Sequence, residues 1–82
     1  MYIADVLESG DGYLLVEMRN RFKVGDRLEI LSAGGSFLKS FPVEEIFTAN
    51  GEKTDDAKLV QGRYRIPCPY SAVAGDFLRK RV

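Results

Sequence analysis

Hydrophobic and polar positions along the chain alternate in short runs. No segment carries apolar residues at helical spacing, so the periodicity predicts strands and no helix. "YIADVL" (2–7) opens the series, and "YLLVEMR" (13–19) returns after "ESGDG" (8–12). That connection reads as a hairpin turn, because Asp-Gly accepts the positive φ of a tight turn. "DRLEILS" (26–32) alternates Arg27 and Glu29 with Leu28 and Ile30, and "AGG" (33–35) is a second turn. "SFLKSFPVEEIFT" (36–48) predicts one long strand or two short ones, with Pro42 marking an edge or a bulge. Asn50-Gly51 signals a type I′ turn inside the polar stretch 49–58, which is expected to be loop or at most one helical turn. "RYRIPC" (63–68) and "DFLRKRV" (76–82) complete the strands.

One pattern occurs twice. "KVGDRL" (23–28) and "VAGDFL" (73–78) both place Gly-Asp ahead of an apolar residue. Glycine takes a backbone angle closed to other residues, and aspartate bonds nearby amides. Gly25, Asp26, Gly75 and Asp76 are therefore expected to build two equivalent corners in a sheet that curls. About six strands with tight turns and no competing helix predict an all-β fold. The expected form is a small closed or nearly closed antiparallel barrel, one domain over 1–82. So small a domain buries only about 60% of its unfolded surface, which leaves a thin core and little room for a deep cleft.

Composition removes several functions. There is no histidine, which excludes Ser-His-Asp and Cys-His triads and histidine metal sites within this chain. Cys68 is the one cysteine, so an internal disulfide, a zinc site or a cluster of cysteine ligands cannot form. No cofactor or metal is expected in this chain. No apolar run approaches the ~20 residues of a membrane span, and "MYIADVLESG" has acids where a signal peptide is basic and then apolar. These features predict a cytoplasmic protein with no membrane partner.

Net charge is zero, yet the charges are segregated. Arg19, Arg21, Lys23 and Arg27 cluster, Arg63 and Arg65 pair, and Arg79, Lys80 and Arg81 close the chain. Glu44 and Glu45 are adjacent and point to opposite faces of a strand, so they make no catalytic couple. Asp55-Asp56 sit in the polar loop. Cys68, between Pro67 and Pro69, has no base beside it and reads as a semi-buried corner residue. Phe22 and Tyr64 are each flanked by cations. That interleaving is what a surface for single-stranded nucleic acid uses, and equally what an amphipathic strand shows with its ring turned inward.

"VEMRNRFKVGDRLEI" (16–30), with "VLESGDGY" (6–13) before it and "GDFLRK" (75–80) at the end, resembles the C-terminal domain of the peptidase U-32 family, the collagenase-like proteases. Val16, Glu17, Arg19, Asn20, Phe22, Gly25, Asp26 and Glu29 carry the specific part of the match. Asp76, Leu78, Arg79 and Lys80 carry a weaker closing part. The resemblance covers essentially the whole chain. It implies a small barrel similar to the second domain of elongation factor Tu, following a catalytic region absent from this chain. Relatives hydroxylate RNA bases or a quinone precursor without oxygen, and an iron–sulfur cluster is implied only for that missing region.

The function expected on this basis is a non-catalytic accessory barrel. Its partners would be the family's catalytic region in cis and RNA, held through Arg19, Asn20, Arg21, Phe22, Lys23, Arg63, Arg65, Arg79 and Lys80. A docking or dimerisation module is the alternative, and peptidase activity in this chain itself is the least expected reading. A hydrogen-bonded corner in which Arg19 pairs with Glu17 or Glu29 is the structural alternative for the "RNRF" stretch.

Overall fold

The computed structural model describes residues 1–32, 38–57 and 62–80, and all regular structure among them is β. The elements are β1 (Tyr2–Gly10), β2 (Tyr13–Met18), β3 (Phe22–Lys23), β4 (Arg27–Leu31), β5 (Leu38–Pro42), β6 (Ile46–Thr48), β7 (Lys53–Thr54), β8 (Asp56–Ala57), β9 (Arg63–Pro67) and β10 (Phe77–Lys80). Eight strands form one antiparallel sheet in the order β5-β4-β10-β1-β2-β9-β6-β7, and β3 pairs separately with β8. The sheet curls as a half-barrel. The β3–β8 ladder is extended by the Val24 amide donating to Asp55 O at 2.9 Å. Phe22 of β3 and Ala57 of β8 join the same core as Ile3, Leu14, Val16, Leu28, Ile30, Ile66 and Leu78.

The expected strand count of about six is too low. Within the stretch 36–48 the described residues form two strands, and the first ends at Pro42, which cannot donate to a ladder. The polar stretch 49–58, expected to be loop, contains β7 and β8. Two-residue ladders are too short to leave a period-two signature. The turn at 33–35 and Arg81 lie outside the described residues. In β1 the alternation slips twice, with register shifts between Tyr2 and Ala4 and between Val6 and Glu8. The first shift explains why Ile3 and Ala4 are both buried, since a bulge places successive residues on one face.

The two Gly-Asp corners share the same four hydrogen bonds. The Lys23 amide donates to Asp26 Oδ2 at 3.0 Å, and the Val73 amide to Asp76 Oδ2 at 3.1 Å. Asp26 N donates to Lys23 O, and Asp76 N to Val73 O, at 3.1 and 3.0 Å. Gly25 and Val43 clip one corner to the end of β5 (Gly25 N to Val43 O, Val43 N to Asp26 O). Gly75 and Val6 clip the other to β1 in the same way. Each corner feeds one of the antiparallel neighbours β4 and β10. Their register is preserved on exchange, because Leu28↔Lys80 becomes Leu78↔Ile30. Gly25 and Gly75 have φ of 98° and 101°, angles open to glycine and strained for other residues.

Candidate functional site

The structure distributes the predicted cations over separate partners. Arg19 Nε lies 3.0 Å from Asp5 Oδ2 and its Nη2 lies 3.2 Å from Glu17 Oε1. The Glu17 half of the expected corner is present. The Glu29 half is not, because Glu29 faces Arg79 across the β4–β10 ladder, with Nε–Oε1 at 2.9 Å. Asn20 Nδ2 donates to Tyr2 O at 2.5 Å, and the Arg19 and Asn20 amides both donate to Ile3 O. Asn20 thus latches the end of β2 to the start of β1. Tyr2 OH donates to Asp5, and this bond comes first among the causes that hold the Asp5 carboxyl below its usual range. Burial opposes it and Arg19 reinforces it.

Arg21 grips Asp56 with a fork, Nε to Oδ1 at 3.0 Å and Nη2 to Oδ2 at 2.5 Å. Arg63 Nε is 3.8 Å from Glu17 Oε2. Lys23 and Lys80 converge on Asp26 Oδ1 at 3.4 and 3.1 Å. With Arg21 and Phe22 they line a cleft of about 350 Å³, so the first and third basic clusters do meet. Burial by itself pushes the Asp26 carboxyl up. The Lys23 amide and the ammonium groups of Lys80 and Lys23 outweigh it and hold the group below the ordinary carboxylate range.

Phe22 cannot stack on a base. It is 1% exposed and packs edge-on against Tyr64, centroids 6.3 Å apart at 79°. Strand alternation turned both rings inward and left the flanking cations outside, the second of the two readings the sequence allowed. Cys68 is also buried. Burial pushes its thiol up, against a smaller opposing effect of the Tyr70 amide, which donates to Sγ at 3.4 Å. Among the described residues, no three of the His, Cys, Asp and Glu side chains are grouped to hold a metal ion.

Arg65 differs from the other cations expected to hold RNA. It has no carboxylate partner among the described residues, and its guanidinium lies 4.8 Å from the centroid of the Tyr13 ring. Cross-strand partners share a face, so Leu15 and Phe47 flank it on the outer side of β2, β9 and β6. Both are half-buried, while Arg65 is exposed. Lys53 extends the row onto β7. Gly10, opposite Tyr13, makes room for the ring, since a Cβ there would run into it. Tyr13 OH donates to Glu8 Oε1 at 3.2 Å and fixes the far end. Sequence reading selected Arg65 for its charge and missed Tyr13, Leu15 and Phe47, because their grouping depends on which strands pair.

Comparison with known proteins gives a consistent assignment. The family model described as the peptidase family U32 C-terminal domain matches residues 1–79. Two crystal structures of the C-terminal domain of a Geobacillus thermoleovorans protein, described as a U32 peptidase, superpose closely. The selenomethionine variant has a TM-score of 0.91 at 21% identity, covering 98% of this chain and 99% of that one. The other has 0.92 at 20% identity, covering 99% and 92%. At those identities the superposition establishes the fold alone. No curated protein matches.

Proposed function

The chain belongs to the peptidase family U32 C-terminal domain, and from that premise we propose that it is an accessory domain without a reaction of its own. It docks through the outer face of β2, β9 and β6 on the catalytic region of its protein and helps to place that region's substrate. The observation that carries this reading is the setting of Arg65. An arginine without a carboxylate partner among the described residues, stacked on Tyr13 and bordered by Leu15 and Phe47, has the composition of an interface centre, where aromatic residues and arginine concentrate. Two facts support a domain without histidine-based or thiolate-based catalysis. The chain has no histidine, and its single thiol is buried with ionisation disfavoured.

A second reading rests on a separate observation. Arg21, Lys23 and Lys80 line one cleft, and phosphates of an RNA substrate fit cations placed this way. Their carboxylate partners, Asp56 and Asp26, compete with any phosphate and make this reading the weaker one.

Calorimetric titrations of the domain into the separately expressed catalytic region and into RNA fragments test the two readings. Docking predicts binding that survives salt and is lost in Arg65→Glu and Phe47→Ser, with Lys23→Ala binding as wild type. RNA binding instead predicts affinity for RNA fragments that falls by roughly 0.7 log units per log unit of salt for each phosphate contacted, and that drops in Lys23→Ala and Lys80→Ala. Absence of any interaction with the catalytic region would overturn the docking reading.

A further inference from the structure

We propose that the corner at Asp76 is a binding site for a primary ammonium group, the side chain of a lysine on a partner polypeptide. The proposal comes from the difference between two corners that are otherwise the same. At the first, Asp26 uses Oδ2 for the Lys23 amide and Oδ1 for the ammonium groups of Lys23 and Lys80. At the second, Asp76 uses Oδ2 for the Val73 amide. The position equivalent to Lys23 is Val73, and the position equivalent to Lys80 is Ile30, so neither of these positions offers a lysine here. Among the described residues no lysine or arginine pairs with Asp76.

The two carboxylates are equally withdrawn from water, at 7% exposure for Asp26 and 5% for Asp76. A carboxylate taken out of water is stabilised by a cation or by further donors, and Asp76 has one donor to its carboxylate among the described residues. It opens instead onto a depression of about 280 Å³ that it lines with Ser32, Ser71, Ala72 and Val73. The depression suits a lysine. In the proposed complex its alkyl stem lies along Ala72 and the exposed Val73 and its ammonium meets Oδ1, with Ser71 among the lining residues. A hard divalent cation is a poorer match, because it takes six or more oxygens and this corner presents a single carboxylate. The site lies at the start of β10, and neither it nor its test depends on the face around Arg65.

The test is a ¹H–¹⁵N NMR titration of the domain with N-acetyl-lysine N-methylamide. The norleucine analogue, which lacks the ammonium group, and matched sodium chloride serve as references. Saturable shifts centred on the Val73 and Asp76 amides are expected with the lysine compound alone. Asp76→Asn keeps an oxygen for the Val73 amide and removes the charge, so the turn persists and affinity drops by about tenfold or more. Val73→Lys rebuilds the first corner's arrangement in cis. It is expected to abolish the titration and to raise the melting temperature. Equal shifts with norleucine or with salt, shifts that persist in Asp76→Asn, or a Val73→Lys variant that titrates like wild type would each overturn the proposal.

Discussion

Lys80 on β10 reaches across the sheet to Asp26, Nζ to Oδ1 at 3.1 Å, and thereby ties the last described strand to the corner that starts β4. Because Asp26 is held below its ordinary range in the folded state, its carboxylate stabilises the fold fully above the unfolded value of about 3.9. That contribution is lost as the pH falls through the folded value. Asp26→Asn is expected to remove about 1–2 kcal/mol at pH 7 and to flatten the acid limb of the stability curve. Thermal melts between pH 7 and pH 2 measure this. An acid limb as steep in Asp26→Asn as in wild type would rule the carboxylate out as its source.

Phe22 and Arg65 were equal candidates in the sequence and have opposite fates in the fold. Phe22→Ala opens a cavity in the seam between the β3–β8 ladder and the main sheet, which is expected to cost about 3–5 kcal/mol. Arg65→Ala removes an exposed side chain with no carboxylate partner among the described residues and is expected to change stability by about 0.5 kcal/mol or less. Urea unfolding of both variants separates the roles. A Phe22→Ala domain as stable as wild type would mean that the ring contributes nothing to the core.

What was legible in the sequence is local. Period-two runs located the strands that became β1, β2, β4, β9 and β10, and Gly-Asp located both corners, because these signals lie within a few residues. The pairings of Arg79 with Glu29, Lys80 with Asp26 and Arg21 with Asp56 join residues 50, 54 and 35 positions apart. They follow from β10 lying between β4 and β1, and from β3 meeting β8, which no local pattern announces. The three basic clusters were therefore open to an RNA-binding reading, whereas in the fold most of their charge is met by carboxylates, several of them contributed from other strands. The surface around Arg65 was half visible, as charge without its apolar border.

Gly25 and Gly75 offer a clean measure of backbone strain. A Cβ placed on either would meet nothing within 4 Å, so substitution costs only the backbone angle. Gly25→Ala and Gly75→Ala are each expected to lose about 1–2 kcal/mol, equal within about 0.5 kcal/mol because the two φ values nearly coincide. Chemical denaturation of the two single variants tests the equivalence of the corners, and a large inequality would show that the clips to Val43 and Val6 are not energetically alike.

Cys68 is expected to react slowly. Its side chain is buried and burial pushes the thiol up, so little thiolate exists near pH 8. Iodoacetamide labelling should proceed through opening of the fold and accelerate with urea well below the unfolding midpoint. Labelling of the native domain as fast as a free thiol at the same pH would contradict the buried position.

Gly10→Ala addresses the proposed docking face without touching a charged residue. A methyl group at position 10 runs into the Tyr13 ring, and the ring, being the free end of a side chain, is what gives way. Its displacement removes the surface on which the Arg65 guanidinium rests and weakens the bond from Tyr13 OH to Glu8. Ring currents from Tyr13 are expected to shift the Arg65 side-chain protons upfield in the wild-type NMR spectrum, and this shift should collapse in Gly10→Ala. The strand register and overall stability should be nearly unchanged, because Gly10 lies at the end of β1 beside the turn. If docking runs through this face, the variant also binds the catalytic region more weakly while its fold stays intact. Retained upfield shifts in Gly10→Ala would show that the glycine does not seat the ring.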